Sequence, residues 1–358
     1  MKHMKFKKII MLAGVLAAAG AHADDKFTVN GYGYQDYRLT NNNFFEYASQ
    51  RGTWDHNAFA VVMSAKVSDR DTAWAQLQAS SIDPAGLTRF TWMFLDHRFS
   101  DNLSGHVGRI KFPVGLYTEF IDNKALQLSA VIPYAYSGSA DMSYDAYSGV
   151  GLDWTTGSLF TQIYGGNVYN PIPTNDHANR RLIGTRITWT TPLEGLRFLI
   201  SANETSLEGN PNLTIPQDPP EMSQLGKEDR AMFSVDYVSD RFDIKGEYNY
   251  HKTPPFANLS QTTTSIQNAW YVQGGYKMGL WTPYARYDSF QADQHDTSDP
   301  SKYQKDWVLG VNYKINDYVN ARIEDHIISG YAMSQPNTPA DVPATNWNML
   351  AAEVNFMF

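Results

Sequence analysis

The chain has 358 residues, 14% of them aromatic, no cysteine, and a formal net charge of −8. The acidic balance argues against nucleic acid as a partner, and the missing cysteines rule out a disulfide framework. After the first two dozen residues no segment approaches the roughly 18 uninterrupted apolar residues of a membrane-spanning helix.

The N-terminus reads as an export signal. "MKHMKFKK" carries four lysines, "IIMLAGVLAAAGA" is apolar but too short to span a bilayer, and "AHA" places a cleavage site after Ala23. Residues 1–23 are the expected signal peptide and 24–358 the mature domain. Losing four of the 29 basic residues and none of the 37 acidic ones leaves the mature chain at −12.

From there on, apolar and polar residues alternate with period two. "FDIKGEYNY" (242–250) sets Phe242, Ile244, Tyr248 and Tyr250 against Asp243, Lys245, Glu247 and Asn249. "KDWVLGVNYK" and "YVNARIEDH" sort in the same way. A helix cannot produce that sorting; a strand with different surroundings on its two faces can. Sixteen such segments follow one another, centred near residues 33, 62, 76, 93, 107, 149, 162, 185, 200, 235, 246, 272, 286, 310, 322 and 352. Short connectors such as "SDRD", "TTG" and "IND" alternate with long polar ones such as "TNNNFFEYASQRG", "KTPPFANLSQTTTS" and "SQPNTPADVPAT".

Short turns at one end and long loops at the other are the asymmetry of an outer-membrane barrel. Hydrocarbon offers the backbone no hydrogen-bond partners, so strands cross it only when the sheet closes on itself. A ring of sixteen leaves a watery lumen, and that explains the polar row. The terminal "NMLAAEVNFMF" puts Leu350, Ala352, Val354, Phe356 and Phe358 on the lipid row and supplies the closing strand. Trp54, Trp189, Trp270, Trp281, Trp307 and Tyr318 fit interfacial aromatic girdles. A soluble sandwich or propeller is the competing all-β reading.

Three features carry a resemblance to the Gram-negative porin superfamily: the Phe358 terminus with its apolar row, the first strand "FTVNGYGYQDYRL", and "GHVGRIKFPVGLYTEF" (105–120). The last resembles the fifth strand of such porins running into the third external loop. The Pro-Glu-Phe-Gly-type motif of enteric members is not found at that loop's tip. The resemblance implies a Gram-negative outer membrane, a homotrimer, an inward-folded third loop that narrows the pore, and passage of small hydrophilic solutes. It also implies lipid contact and a barrel-assembly machinery that reads the strand ending at Phe358.

The segment from Gly115 to about Asp145 is the one long connection that is not mainly polar; Leu126, Leu128, Val131, Ile132 and Pro133 gain little from exposure. It is expected to tuck into the lumen. Face assignment puts Arg38, Lys66, Arg89, Arg109 and Lys111 on the inward row, followed by Arg186, Lys245, Arg286 and Arg322, with acids such as Asp36, Glu247, Asp288, Glu324 and Glu353. His106 falls on the outward row. The expected constriction pairs a basic wall of Arg38, Arg89, Arg109 and Lys111 with an acidic loop carrying Glu119 and Asp122, which sets a transverse field. Alternatively, such charges merely solvate a wide lumen.

Two functions stay open beside the general channel. The basic cluster, or a slide of Tyr32, Tyr34 and Tyr284, suits a channel specific for anions or oligosaccharides. A barrel enzyme is the alternative of a different class. No zinc-protease, nucleophile-elbow or phosphate-loop motif occurs, so no catalytic residue, cofactor or metal is expected.

Overall fold

The computed structural model describes residues 26–81, 88–137, 145–168, 178–209, 226–253, 264–294, 296–336 and 343–358. The proposed signal peptide and its cleavage site lie outside them.

Sixteen antiparallel strands close into one barrel, each pairing with its neighbours in sequence and β16 returning to β1. They are β1 (Phe27–Thr40), β2 (Asn57–Lys66), β3 (Asp71–Ser80), β4 (Arg89–Arg98), β5 (Leu103–Lys111), β6 (Ala146–Thr156), β7 (Leu159–Val168) and β8 (Ala178–Thr190). The second half comprises β9 (Leu196–Gly209), β10 (Gly226–Val238), β11 (Phe242–Thr253), β12 (Ser265–Tyr276), β13 (Trp281–Gln291), β14 (Tyr303–Lys314), β15 (Val319–Gly330) and β16 (Asn346–Met357). Every expected segment is a strand. The long connections all follow odd-numbered strands and so leave one end, and the short turns, the start of β1 and the end of β16 share the other.

Alternation becomes burial as anticipated. On β14, Trp307 and Leu309 are over half exposed on the outer wall while Gln304, Asp306 and Val308 are buried inside. The girdle residues Trp54, Trp189, Trp270, Trp281, Trp307 and Tyr318 are all exposed. Closure is sealed by the last residue: Gly31 and Phe358 exchange two backbone hydrogen bonds, each 2.9 Å. Gly31 and Gly33 lie under the rings of Phe358 and Phe356, where a Cβ on Gly31 would also come within 2.9 Å of the Ala60 carbonyl. Glycine is required there by close approach.

One face assignment is reversed. Arg109 stands opposite Met93 and Ser148, in line with the exposed Val107, and so belongs to the outward row. His106 faces the lumen instead, 3.3 Å from Asp96 and 3.0 Å from Asp153. A shift of one residue exchanges the faces of a strand, and "GHVGRIK" offers two nearly equal patterns. The pattern that gives Val107 to the lipid side prevails. Lys111 nevertheless reaches the lumen, because Lys111 and Phe112 are buried consecutively where β5 stops alternating. Arg89 keeps its inward position through a bulge on β4, where Thr91 and Trp92 both turn inward between the outward Phe90 and Met93.

Candidate functional site

The connection between β5 and β6 enters the lumen and spans it. Among its described residues, three short 3-10 turns, Thr118–Phe120, Lys124–Leu126 and Tyr134–Tyr136, shape its path. Of the apolar residues singled out, Leu128, Val131 and Pro133 are buried and Leu126 and Ile132 half-buried; beside them Tyr134, Ala135 and Tyr136 are at most 2% exposed and pack with Met232, Tyr271 and Phe290 of the wall. Burial of each large side chain contributes about 1.5–3 kcal/mol, enough to hold a loop that would otherwise sample water.

The wall charges act on this loop's backbone. Arg322 of β15 donates to the carbonyls of Gln127 (2.9 Å), Ser129 (2.7 Å) and Lys124 (2.6 Å). Glu324 accepts from the backbone N–H groups of Ala130 (3.1 Å) and Val131 (2.7 Å). Arg286 donates to Ser129 Oγ and to the Val131 carbonyl, and Asp288 accepts from Tyr134 N–H. On β11, Glu247 accepts from Leu116 N–H (2.8 Å), Tyr136 Oη (2.5 Å), Tyr271 Oη (2.7 Å) and Ser234 Oγ (2.6 Å). A buried irregular segment needs partners for its peptide groups, and charged side chains supply strong ones.

Across the lumen, Arg186 of β8 pairs with Glu119 at 2.8 Å. Lys111 pairs with Asp122 at 2.6 Å and also with Asp145. The loop is therefore held from β8 at one side to β15 on the nearly opposite wall. Lys124 is buried, donates to the Ala130 carbonyl at 2.8 Å and lies 5.8 Å above the Tyr34 ring. Burial pushes its ammonium below the ordinary lysine range, although Glu353 and Asp36 pull it back.

The six residues singled out from sequence do not form one cluster. Lys111 and Asp122 pair with each other, whereas Glu119 pairs with Arg186. Arg38 is completely covered and staples the first long loop instead: it donates to the Glu46 carbonyl (2.6 Å), pairs with Asp36 (2.7 Å) and reaches His56 Nδ1 (3.0 Å). Arg89 stands on the inward row of β4, opposite Gln78 of β3. Arg109 is on the outer wall. Tyr32, Tyr34 and Tyr284 are at most 6% exposed, and Tyr284 donates to Glu324, so they form no open slide.

Sequence reasoning missed the first loop. It was expected as an external polar connection, yet Phe45 is 1% exposed and packs edge-on against Tyr134 and Trp347. Ser137 donates to the Glu46 carboxylate at 2.7 Å, so this loop braces the third. The pair of phenylalanines in "NNNFFEY" was the available signal. Among the described residues no group of histidines and carboxylates could hold a metal ion.

The architecture and its inward loop define a porin-type barrel, and comparison with solved structures agrees. The anion-selective porin from Comamonas acidovorans superposes with a TM-score of 0.65 at 10% identity, over 93% of this chain and 99% of that one. The outer membrane channel DcaP of Acinetobacter baumannii gives 0.62 at 12% identity over 95% and 100%. OmpF of Salmonella typhi gives 0.59 at 13% identity over 94% and 99%. No family model and no curated protein sequence matches the chain. The fold is that of the Gram-negative general porins.

Proposed function

We propose that this protein is an outer-membrane porin: a water-filled channel through which small hydrophilic solutes and ions diffuse passively. It is exported by a signal peptide cleaved after Ala23, assembled by the machinery that reads the strand ending at Phe358, and trimeric. One observation carries the reading. A closed sixteen-strand wall, apolar outside and charged inside, holds a loop fixed across its bore. Such a wall satisfies its backbone in lipid, and such a loop restricts the bore to small solutes. Neither chemistry nor an energy source enters the proposal.

A weak cation preference fits better than anion specificity. Of the cations proposed for a basic field, Arg38 faces Asp36 and Lys111 faces Asp122 and Asp145, and Arg186 of the same inward row faces Glu119. Pairing cancels the positive field that an anion channel would use.

Liposome swelling tests the reading. Vesicles carrying the purified protein should swell in sugars at rates that fall steeply with sugar size. Equal rates for all sizes, or none above empty vesicles, would remove the restricted bore.

A further inference from the structure

His326 of β15 bridges two carboxylates inside the wall that grips the third loop. Its side chain and both of theirs are wholly buried. Nδ1 lies 2.6 Å from Asp306 Oδ2 on β14, and Nε2 lies 3.1 Å from Glu324 Oε1, two residues back on its own strand. The residues directly opposite it, Val308 on β14 and Met349 on β16, are apolar.

A neutral imidazole has one N–H donor and one acceptor nitrogen, and an ionised carboxylate only accepts. Carboxylates on both ring nitrogens therefore need a second proton, and an imidazolium donates on each side. The remaining partners are neutral. Asp306 also accepts from the Tyr134 hydroxyl at 3.3 Å, and Glu324 accepts from the Tyr284 hydroxyl and from Ala130 and Val131 N–H. Arg286 on β13 is matched by Asp288 at 2.5 Å. Among the described residues no other cation hydrogen-bonds Asp306 or Glu324. Without the imidazolium, two like charges would be buried with no cation bonded to either, which is strongly unfavourable.

Both bridged carboxylates also touch the loop. Glu324 Oε1 accepts from His326 Nε2 and from Val131 N–H (2.7 Å), so ring and loop share one oxygen. Asp306 Oδ2 is shared in the same way between His326 Nδ1 and the hydroxyl of Tyr134, in the third turn of the loop. The ring thus stands behind two of the loop's anchors.

We infer that His326 is a positioning residue for the third loop: its imidazolium joins Asp306 to Glu324 and aims both at the loop, so the loop's hold on this wall depends on one proton. The inference rests on the restricted-bore reading given above and goes further by naming the proton that keeps the restriction in place. When that proton passes to solvent, one charge-assisted bond is lost and the two carboxylates repel.

The test follows the ring and the loop together. Protein carrying nitrogen-15 histidine is observed by NMR in detergent from neutral to alkaline pH, and the His326 signals are those lost in His326→Gln. Both ring nitrogens should read as protonated at neutral pH. Over the range in which one loses its proton, hydrogen exchange of the peptide holding Ala130 and Val131 should quicken on the order of tenfold beyond base catalysis, as loss of one bond to a charged group implies. Open-channel noise should rise over that same range. His326→Gln donates to one carboxylate and turns its oxygen to the other, so its exchange should be fast throughout, without a step. Asp306→Asn has the same shape and lets a neutral ring accept from the amide while donating to Glu324. It should keep exchange slow, abolish the step and show one protonated nitrogen, and it assigns the signals should His326→Gln not fold. A wild-type ring nitrogen lacking its proton at neutral pH, or a step that survives Asp306→Asn, would overturn the inference. Silent bilayers from protein that shows the NMR and exchange behaviour would leave the bridge standing and remove the channel reading instead.

Discussion

Arg322 and Glu353 face each other across β15 and β16 at 3.1 Å, both side chains wholly buried, and the same guanidinium grips three carbonyls of the third loop. The wall of the barrel is thus wired to the loop that obstructs it. The charge that would otherwise line an open lumen is spent on holding a diaphragm in place.

Arg322→Ala is therefore expected to free the loop from β15. Removing one partner of a buried pair costs about 3–5 kcal/mol, and here it also strands three carbonyls. The barrel should still form, because none of its ladder hydrogen bonds is touched. Single channels should show larger and noisier steps than wild type. Steps of unchanged size and noise would mean that Arg322 does not hold the loop.

Glu247→Ala removes the acceptor for four donors at the root of the same loop. Each buried donor left without a partner costs about 1–3 kcal/mol, so the root should detach. Lys124, 5% exposed in the intact protein, should then become a trypsin site. Wild type should resist cleavage there under the same conditions, and Glu247→Gln, which keeps one acceptor oxygen, should fall between them.

The reversal of Arg109 and His106 separates two neighbours that sequence had grouped together. Lys111→Ala exposes Asp122 and Asp145 to the lumen without their counter-charge, and reversal potentials in a salt gradient should move toward cations. Arg109→Ala should leave the reversal potential where it was. A shift in the second variant as large as in the first would put Arg109 back in the lumen.

At the seam, Gly31→Val forces a side chain into the Phe358 ring and toward the Ala60 carbonyl. The ring can swing away but the carbonyl cannot, so overpacking should cost about 1–3 kcal/mol. The folded band on an unboiled gel should convert to the unfolded one at a lower temperature than in wild type. An unchanged conversion temperature would show that the approach of β1 to its neighbours is looser than described.

Sequence carried the barrel almost completely, and the reason is simple. Period-two alternation reports which of two solvents each side chain meets, as on β11 and β14, and loop lengths report the two ends. Even the inward path of the third loop showed in the apolar residues around Val131. What alternation does not carry is the partner. Nothing in "ARIEDH" marks Arg322 and Glu324 as clamps for peptide groups two hundred residues away, because a peptide group has no residue-specific signature. Arg109 was misplaced for a different reason: with glycine at 105 and 108, the strand offers too little contrast to fix its phase.

Planar-bilayer recording of the purified wild-type protein tests the central claim most directly. The account predicts stepwise insertions, ohmic at low voltage and grouped in threes, with a reversal potential weakly favouring cations. A protein that folds and inserts yet leaves the bilayer electrically silent would contradict it.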